Sequence, residues 1–138
     1  MPYYLAPLVA WVCSGTIKFM INYIRFKNEA GKLIGNGGFP STHTTVIATP
    51  TILIAINEGV NSPIFGLGLA VLLIIMFDAS GLRIQVGKHS QFLNNLAVHL
   101  ELVKKDKLRE RMGHTKIEIL GGLLLGLIIA ILFYITFG

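Results

Sequence analysis

Two apolar stretches, Tyr4 to Ile24 and Ile117 to Phe137, bracket the chain, each close to the roughly 20 residues that an α-helix needs to cross a bilayer. In lipid the backbone must satisfy its own N–H and C=O groups, so stretches of this kind are driven into helices. Two shorter ones, Thr44 to Ile56 and Pro63 to Phe77, lie between them. These reach spanning length once Ser41, Asn57 and Asp78 are placed at the interfaces or the bilayer thins. With 53% hydrophobic and 14% charged residues and a mean hydropathy of +0.66, the composition excludes an ordinary soluble domain. At 138 residues the chain has room for one domain. The expectation is an all-α, integral membrane helical bundle over residues 1–138, with about four transmembrane helices near 4–24, 42–57, 63–80 and 117–137.

The segment Val86 to Met112 is too polar to span, yet Phe92, Leu93, Leu96, Leu100 and Val103 recur at helical spacing. This predicts one amphipathic interfacial helix over about 86–111, lying on the membrane surface or packed on the other helices. The N-terminus lacks a basic start and a small-residue cleavage site, so the first helix is expected to stay as an anchor. Cys13 is the single cysteine, which rules out an internal disulfide and a thiolate metal cluster.

All 12 basic residues lie in or near the segments 25–40 and 83–116, Lys18 being the outlier. If four helices cross, those segments share one face, and by the positive-inside rule that face is cytoplasmic and both termini are outside. Juxtamembrane Lys27, Lys32, Lys104, Lys105 and Lys107 need do no more than set this topology.

Several polar residues are out of place in such a chain. Residues 37–45, Gly-Gly-Phe-Pro-Ser-Thr-His-Thr-Thr, read as a glycine-rich phosphate cradle running into a helix start. Ser41 and Thr42 supply hydroxyls there, and His43 adds a group that exchanges protons near neutral pH. Lys18 lies inside the first apolar stretch, where a charge costs about 2.5–3.5 kcal/mol to insert. Snorkelling would relieve it, but Arg25 follows two turns later on the same helix face, and two aligned cations invite a shared anion. Arg83 suits phosphate oxygens with its planar fork, and Asp78 can hold it in place or simply pair with it. His114 and Glu118 are four residues apart on one helix side, an arrangement in which a carboxylate fixes an imidazole tautomer and readies the other nitrogen for attack. His99 reads as a surface residue, and Gly122 with Gly126 as a close helix-packing pair that also favours a homo-oligomer.

Three of these blocks stand in order: Lys18-x6-Arg25, then Pro40-Ser41-Thr42-His43, then Arg83 followed by His114-x3-Glu118. Together they resemble the type 2 phosphatidic acid phosphatase and vanadium haloperoxidase superfamily, whose motifs are K-x6-R-P, P-S-G-H and S-R-x5-H-x3-D. More closely, nearly the whole chain is similar to the divergent bacterial branch, through Gly-Gly-Phe-Pro-Ser-Thr-His, Asp78-Ala-Ser-Gly-Leu-Arg83, Gly87-Lys-His-Ser-Gln-Phe-Leu-Asn94 and Gly113-His114-Thr115. Departures are Phe26 for proline, Thr42 for glycine, Leu82 for serine and Glu118 for aspartate. Thirty residues, not five, separate Arg83 from His114. His89 keeps the five-residue spacing but has Leu93 where the acid should be, so His114 is favoured as nucleophile, with His89 the alternative and 84–113 an insertion.

The resemblance implies a metal-independent, cofactor-free membrane phosphatase that hydrolyses a phosphomonoester or pyrophosphate through a phosphohistidine. His114 would attack phosphorus, Glu118 would orient it, and His43 would protonate the leaving oxygen. Lys18, Arg25, Ser41, Thr42 and Arg83 would bind the phosphoryl group, with Asp78 in support. A cytoplasmic site in a bacterial inner membrane would favour phosphatidylglycerol phosphate or phosphatidate over a polyprenyl pyrophosphate. The partners expected are membrane lipids, the phosphorylated lipid and a second copy of the chain, not nucleic acid. The rivals are a catalytically weakened lipid-phosphate binding protein or scaffold, and a small transporter whose Lys18 and Asp78 line a polar path.

Overall fold

The structure, a computed structural model, describes residues 1–27, 38–100 and 107–138. Gly37, Lys32, Lys104, Lys105 and residues 101–106 of the expected amphipathic segment lie outside them. A 3-10 turn, Tyr3–Leu5, leads into α1 (Ala6–Phe26), followed by α2 (Thr42–Glu58), α3 (Pro63–Ser80), α4 (Leu82–His99) and α5 (Lys116–Phe137). Among the described residues there is no strand.

The starts of these helices follow from local chemistry. Ser41 and Ser62 cap α2 and α3 by accepting the N–H groups of Thr44 and Phe65, and Pro63 occupies the first turn, where its missing N–H costs nothing. Thr115 and Glu118 form a reciprocal capping box at the start of α5. Three helical runs are long and apolar enough to cross a membrane: Tyr3–Arg25, the α3–α4 run Pro63–His99, and Lys116–Phe137. The chain is an integral membrane protein built as a helical bundle.

The expected second span is the helix that α1, α3 and α5 surround. At 17 residues, α2 is about 26 Å long. Its buried face carries Thr44, Thr45, Thr49 and Thr51. Burial of these hydroxyls is tolerable because each is bonded within the chain: Thr45 to the Ser41 carbonyl, Thr49 to that of Thr45, Thr51 to that of Ile47, and Thr44 to the Ser41 hydroxyl.

Small residues set the helix spacings. Ala6, Ala10 and Ser14 recur every four residues on α1 and are fully buried. A Cβ on Gly122 of α5 would lie 2.6 Å from the Ser41 carbonyl oxygen, and one on Gly126 would lie 2.8 Å from Ala48 Cβ. The glycine pair is therefore consumed inside the chain against α2, and its support for a homo-oligomer falls away.

These contacts also fix direction. Ser41 meets Gly122, Ala48 meets Gly126, and Leu53 packs with Ala130 and Phe133, so α2 and α5 run parallel. Ala6, at the start of α1, joins that last cluster, so α1 runs against both. Gly68 of α3 abuts Thr51, and Ala79 bonds His114, so α3 also opposes α2. The apolar core sits at one end of the bundle. At the other end gather the end of α1, the start of α2, the end of α3 and the start of α5.

The expected amphipathic helix over 86–111 requires correction. Helix α4 ends at His99, and residues 107–115 are not helical. They return alongside α4, where Asn94 donates to the Leu108 carbonyl at 2.8 Å and accepts from the Leu108 N–H at 2.9 Å. The periodicity was real as far as Leu96, but beyond it a side-chain amide on α4 supplies backbone hydrogen bonds that a longer helix would have made internally.

Candidate functional site

The four helix ends enclose a cavity of about 760 Å³. Lys18, Thr42, His43, Arg83 and His114 line it, so residues from all three sequence blocks converge in space. The same cavity has an apolar side, made by Trp11, Val12 and Phe19 of α1, Val46 and Ile47 of α2, and Ile75 of α3. A polar, cationic end is thus continuous with an apolar lining on the helices of the bundle.

His114 is the most firmly placed of these residues. A glycine break at Gly81 (φ −116°, ψ −85°) separates α3 from α4. The Ala79 carbonyl there accepts the His114 N–H at 2.9 Å. Gly113 makes the approach feasible: its φ of +86° suits glycine, and a Cβ there would lie 2.6 Å from Ile84 Cγ1 and 2.9 Å from the Ala79 oxygen. The ring is then held by Glu118, whose Oε2 lies 3.1 Å from Nδ1. Because the carboxylate accepts, Nδ1 carries the proton and Nε2 keeps its lone pair. Burial holds the imidazole below its ordinary pKa, and the hydrogen bond to Glu118 offsets part of that fall. Glu118 Oε2 also accepts the Thr115 N–H at 2.9 Å, and its carbonyl accepts the Ser41 N–H at 2.9 Å. One residue thereby ties the start of α5 to the start of α2.

His43, on the first turn of α2, is exposed to the cavity with its ring centroid 6.5 Å from that of His114 and the planes tilted by 59°. The charges acting on it are Arg83, His114, Lys18 and Asp78. Lys18 is half-buried and runs past Gly38, whose Cβ would lie 3.6 Å from Lys18 Cε. Arg83 donates through Nε to Asp78 Oδ2 across the Gly81 break, an ion pair that anchors the guanidinium at the cavity wall.

Three expected site residues stand elsewhere. Ser41 is fully buried, with its hydroxyl hydrogen-bonded to that of Thr44 and its N–H donated to the Glu118 carbonyl, so it supports the site from behind the cavity lining. Arg25 is exposed at the end of α1 and is not among the cavity-lining residues. His89 is exposed on α4 and likewise lines no part of the cavity.

The structure adds Asn22, Arg109 and Arg111 to the lining. Both arginines of the run Arg109-Glu110-Arg111 line the cavity, while Glu110 accepts from Asn94 at 2.7 Å. Read as helix, the run scatters its charges. The clue was its alternation immediately before Gly113.

A Bacillus subtilis (strain 168) protein, described as "Uncharacterized membrane protein YuiD", is 29% identical to the chain, with 94% of each covered. No solved structure matches. Residues 2–129 match the model of the family described as "Divergent PAP2 family". With nearly its whole length matched, and with the blocks that carry the resemblance meeting around one cavity, the chain belongs to the Divergent PAP2 family.

Proposed function

We propose that the protein is a metal-independent lipid phosphate phosphatase acting through a phosphohistidine. The observation that carries this reading is the pair His43 and His114, side by side in a cavity that is cationic at one end and apolar along the spans. Such a lining suits a molecule with a phosphorylated head and a hydrocarbon tail. In the reaction His114 Nε2 attacks phosphorus, an N–P bond forms, and the P–O bond to the lipid breaks. Its Nδ1–H remains on Glu118, which stabilises the charge that develops on the ring. His43 delivers a proton to the departing oxygen, then takes one from the water that releases phosphate. Lys18 and Arg83 stabilise the phosphoryl oxygens, with Thr42 beside them.

The substrate class is a phosphomonoester lipid of the phosphatidylglycerol phosphate or phosphatidate type, or a polyprenyl pyrophosphate, which places the protein in phospholipid or carrier-lipid metabolism. The charge bias of 25–40 and 83–116 supports a site on the cytoplasmic face of the inner membrane, with both termini outside. A C-terminal topology reporter active only outside the cytoplasm is expected to give signal, and a cytoplasmic C-terminus would reverse the orientation.

The deciding experiment measures phosphate release from a panel of lipid phosphates, with chelator present. Wild type is compared with His43→Ala, His89→Ala and His114→Ala. Loss of at least about 10³-fold is expected for His114→Ala and about 10²-fold for His43→Ala, with His89→Ala active. Turnover that survives in both His43→Ala and His114→Ala sinks the hydrolase reading and leaves a lipid-phosphate binding protein.

A further inference from the structure

The cavity is lined by more cationic side chains than the phosphoryl site at the histidines uses. Lys18, Arg83, Arg109 and Arg111 line it, and among the described residues no carboxylate does. Asp78 pairs with Arg83 at the edge, and Glu118 is engaged by His114 and the Thr115 N–H. A phosphomonoester brings about two negative charges near neutral pH. Arg83 is already met in part by Asp78, yet Arg109 and Arg111 add two guanidinium groups beyond the cations assigned to the phosphoryl group at the histidines.

The cations also fall into two groups. Lys18 is carried by α1 and Arg83 by the start of α4, and both line the cavity with the two histidines. Arg109 and Arg111 are carried by the non-helical segment 107–113 of the same lining. That segment is a strap clipped to α4. Asn94 makes the two backbone bonds to Leu108 and a third to Glu110, and the approach is close enough at Gly87 that a Cβ would lie 2.5 Å from the Glu110 carbonyl oxygen. Glu110 is engaged by the clip, and the arginines on either side of it line the cavity.

We infer that Arg109 and Arg111, presented by a strap that Asn94 and Gly87 hold against α4, form a second anion subsite that selects lipids carrying two linked phosphoryl groups over lipids carrying one. The inference rests on the reading of the cavity as a lipid-phosphate site. One phosphoryl group sits at the histidines with Lys18 and Arg83. The second lies at the strap, where two guanidinium forks take its oxygens. The second group can be part of a phosphoanhydride or a phosphodiester. Asn94 is a positioning residue: it acts through the strap.

The test uses the full-length protein in detergent micelles and compares kcat/KM for phosphatidate, for phosphatidylglycerol phosphate and for a polyprenyl diphosphate. Wild type is expected to prefer at least one of the two-phosphoryl lipids over phosphatidate by about tenfold or more, and which one separates the phosphodiester from the phosphoanhydride. In Arg109→Gln/Arg111→Gln that preference is expected to fall at least about tenfold. Asn94→Ala, which changes no charge in the cavity, is expected to lower it in the same direction. An unchanged preference in the double variant overturns the subsite, and an unchanged preference in Asn94→Ala overturns the strap as its support. If wild type hydrolyses none of the lipids, the hydrolase reading fails while the subsite is still judged by calorimetry. Inorganic pyrophosphate should then bind at least about tenfold more tightly than orthophosphate to wild type, but not to the double variant. Equal binding of the two ions to wild type overturns it.

Discussion

The two walls of the cavity are built on different principles. The wall bearing Lys18, His43 and His114 belongs to helix ends locked by backbone contact: Ser41 N–H on the Glu118 carbonyl, His114 N–H on the Ala79 carbonyl, and Gly122 against Ser41. The wall bearing Arg109 and Arg111 is a non-helical strap held by one asparagine and one glycine on α4. Bond-making chemistry needs groups fixed to fractions of an ångström, which interlocked helices supply. Charge attraction falls off gently with distance and tolerates a looser support. The contrast says that damage to the first wall should show in kcat and damage to the second in KM.

The sharpest way to break that contrast is at Glu118. Replacing it by Gln is expected to lower kcat about 10²-fold, since the ring loses the charge that fixes its tautomer. The pH profile gives the sign. His114 must be neutral to attack, and burial already lowers its pKa, so wild-type activity should hold as pH falls to about 6.5 and drop only below that. Glu118 opposes that lowering, so Glu118→Gln should move the acid limb to still lower pH. An acid limb that moves upward would mean another group sets it.

Next in size, Gly122→Val should drive a side chain into the Ser41 carbonyl and Thr44, costing about 1–3 kcal/mol in thermal or denaturant unfolding in detergent, with kcat falling in the fraction that still folds. Gly87→Val strikes the other wall. A side chain against the Glu110 carbonyl should push the strap away and raise KM about tenfold while kcat changes little. If instead kcat collapses as KM stays fixed, the strap belongs with the catalytic wall. Thr115→Ala is the mildest, expected to cost about 1 kcal/mol of stability through loss of the helix cap.

The two walls also differed in how readable they were. Periodicity and apolar run length placed α1, α2, α3 and α5 to within a few residues, because a helix in lipid must satisfy itself and carries its signal locally. His114 with Glu118 was visible for the same reason, being four residues apart on one helix turn. Ser41 is buried behind the cavity lining because its hydroxyl and amide serve partners on two helices, a competition that spacing does not reveal. Arg25 looked aligned with Lys18 because both share a face, yet the helix carries it past the cavity. The strap stayed hidden because its order comes from Asn94, more than ten residues earlier in the chain, and not from any pattern of its own.

The capping box of α5 has a kinetic meaning. The first turn of a helix is where opening usually begins. Here the oxygen that closes that turn, by accepting the Thr115 N–H, is the one that holds the His114 ring. Should the turn fray, the imidazole loses its orientation in the same event, so a half-armed site has no stable form. Whatever steadies the start of the last span, whether lipid packing around it or an anion settled in the cavity, would arm the histidine as a single cooperative step.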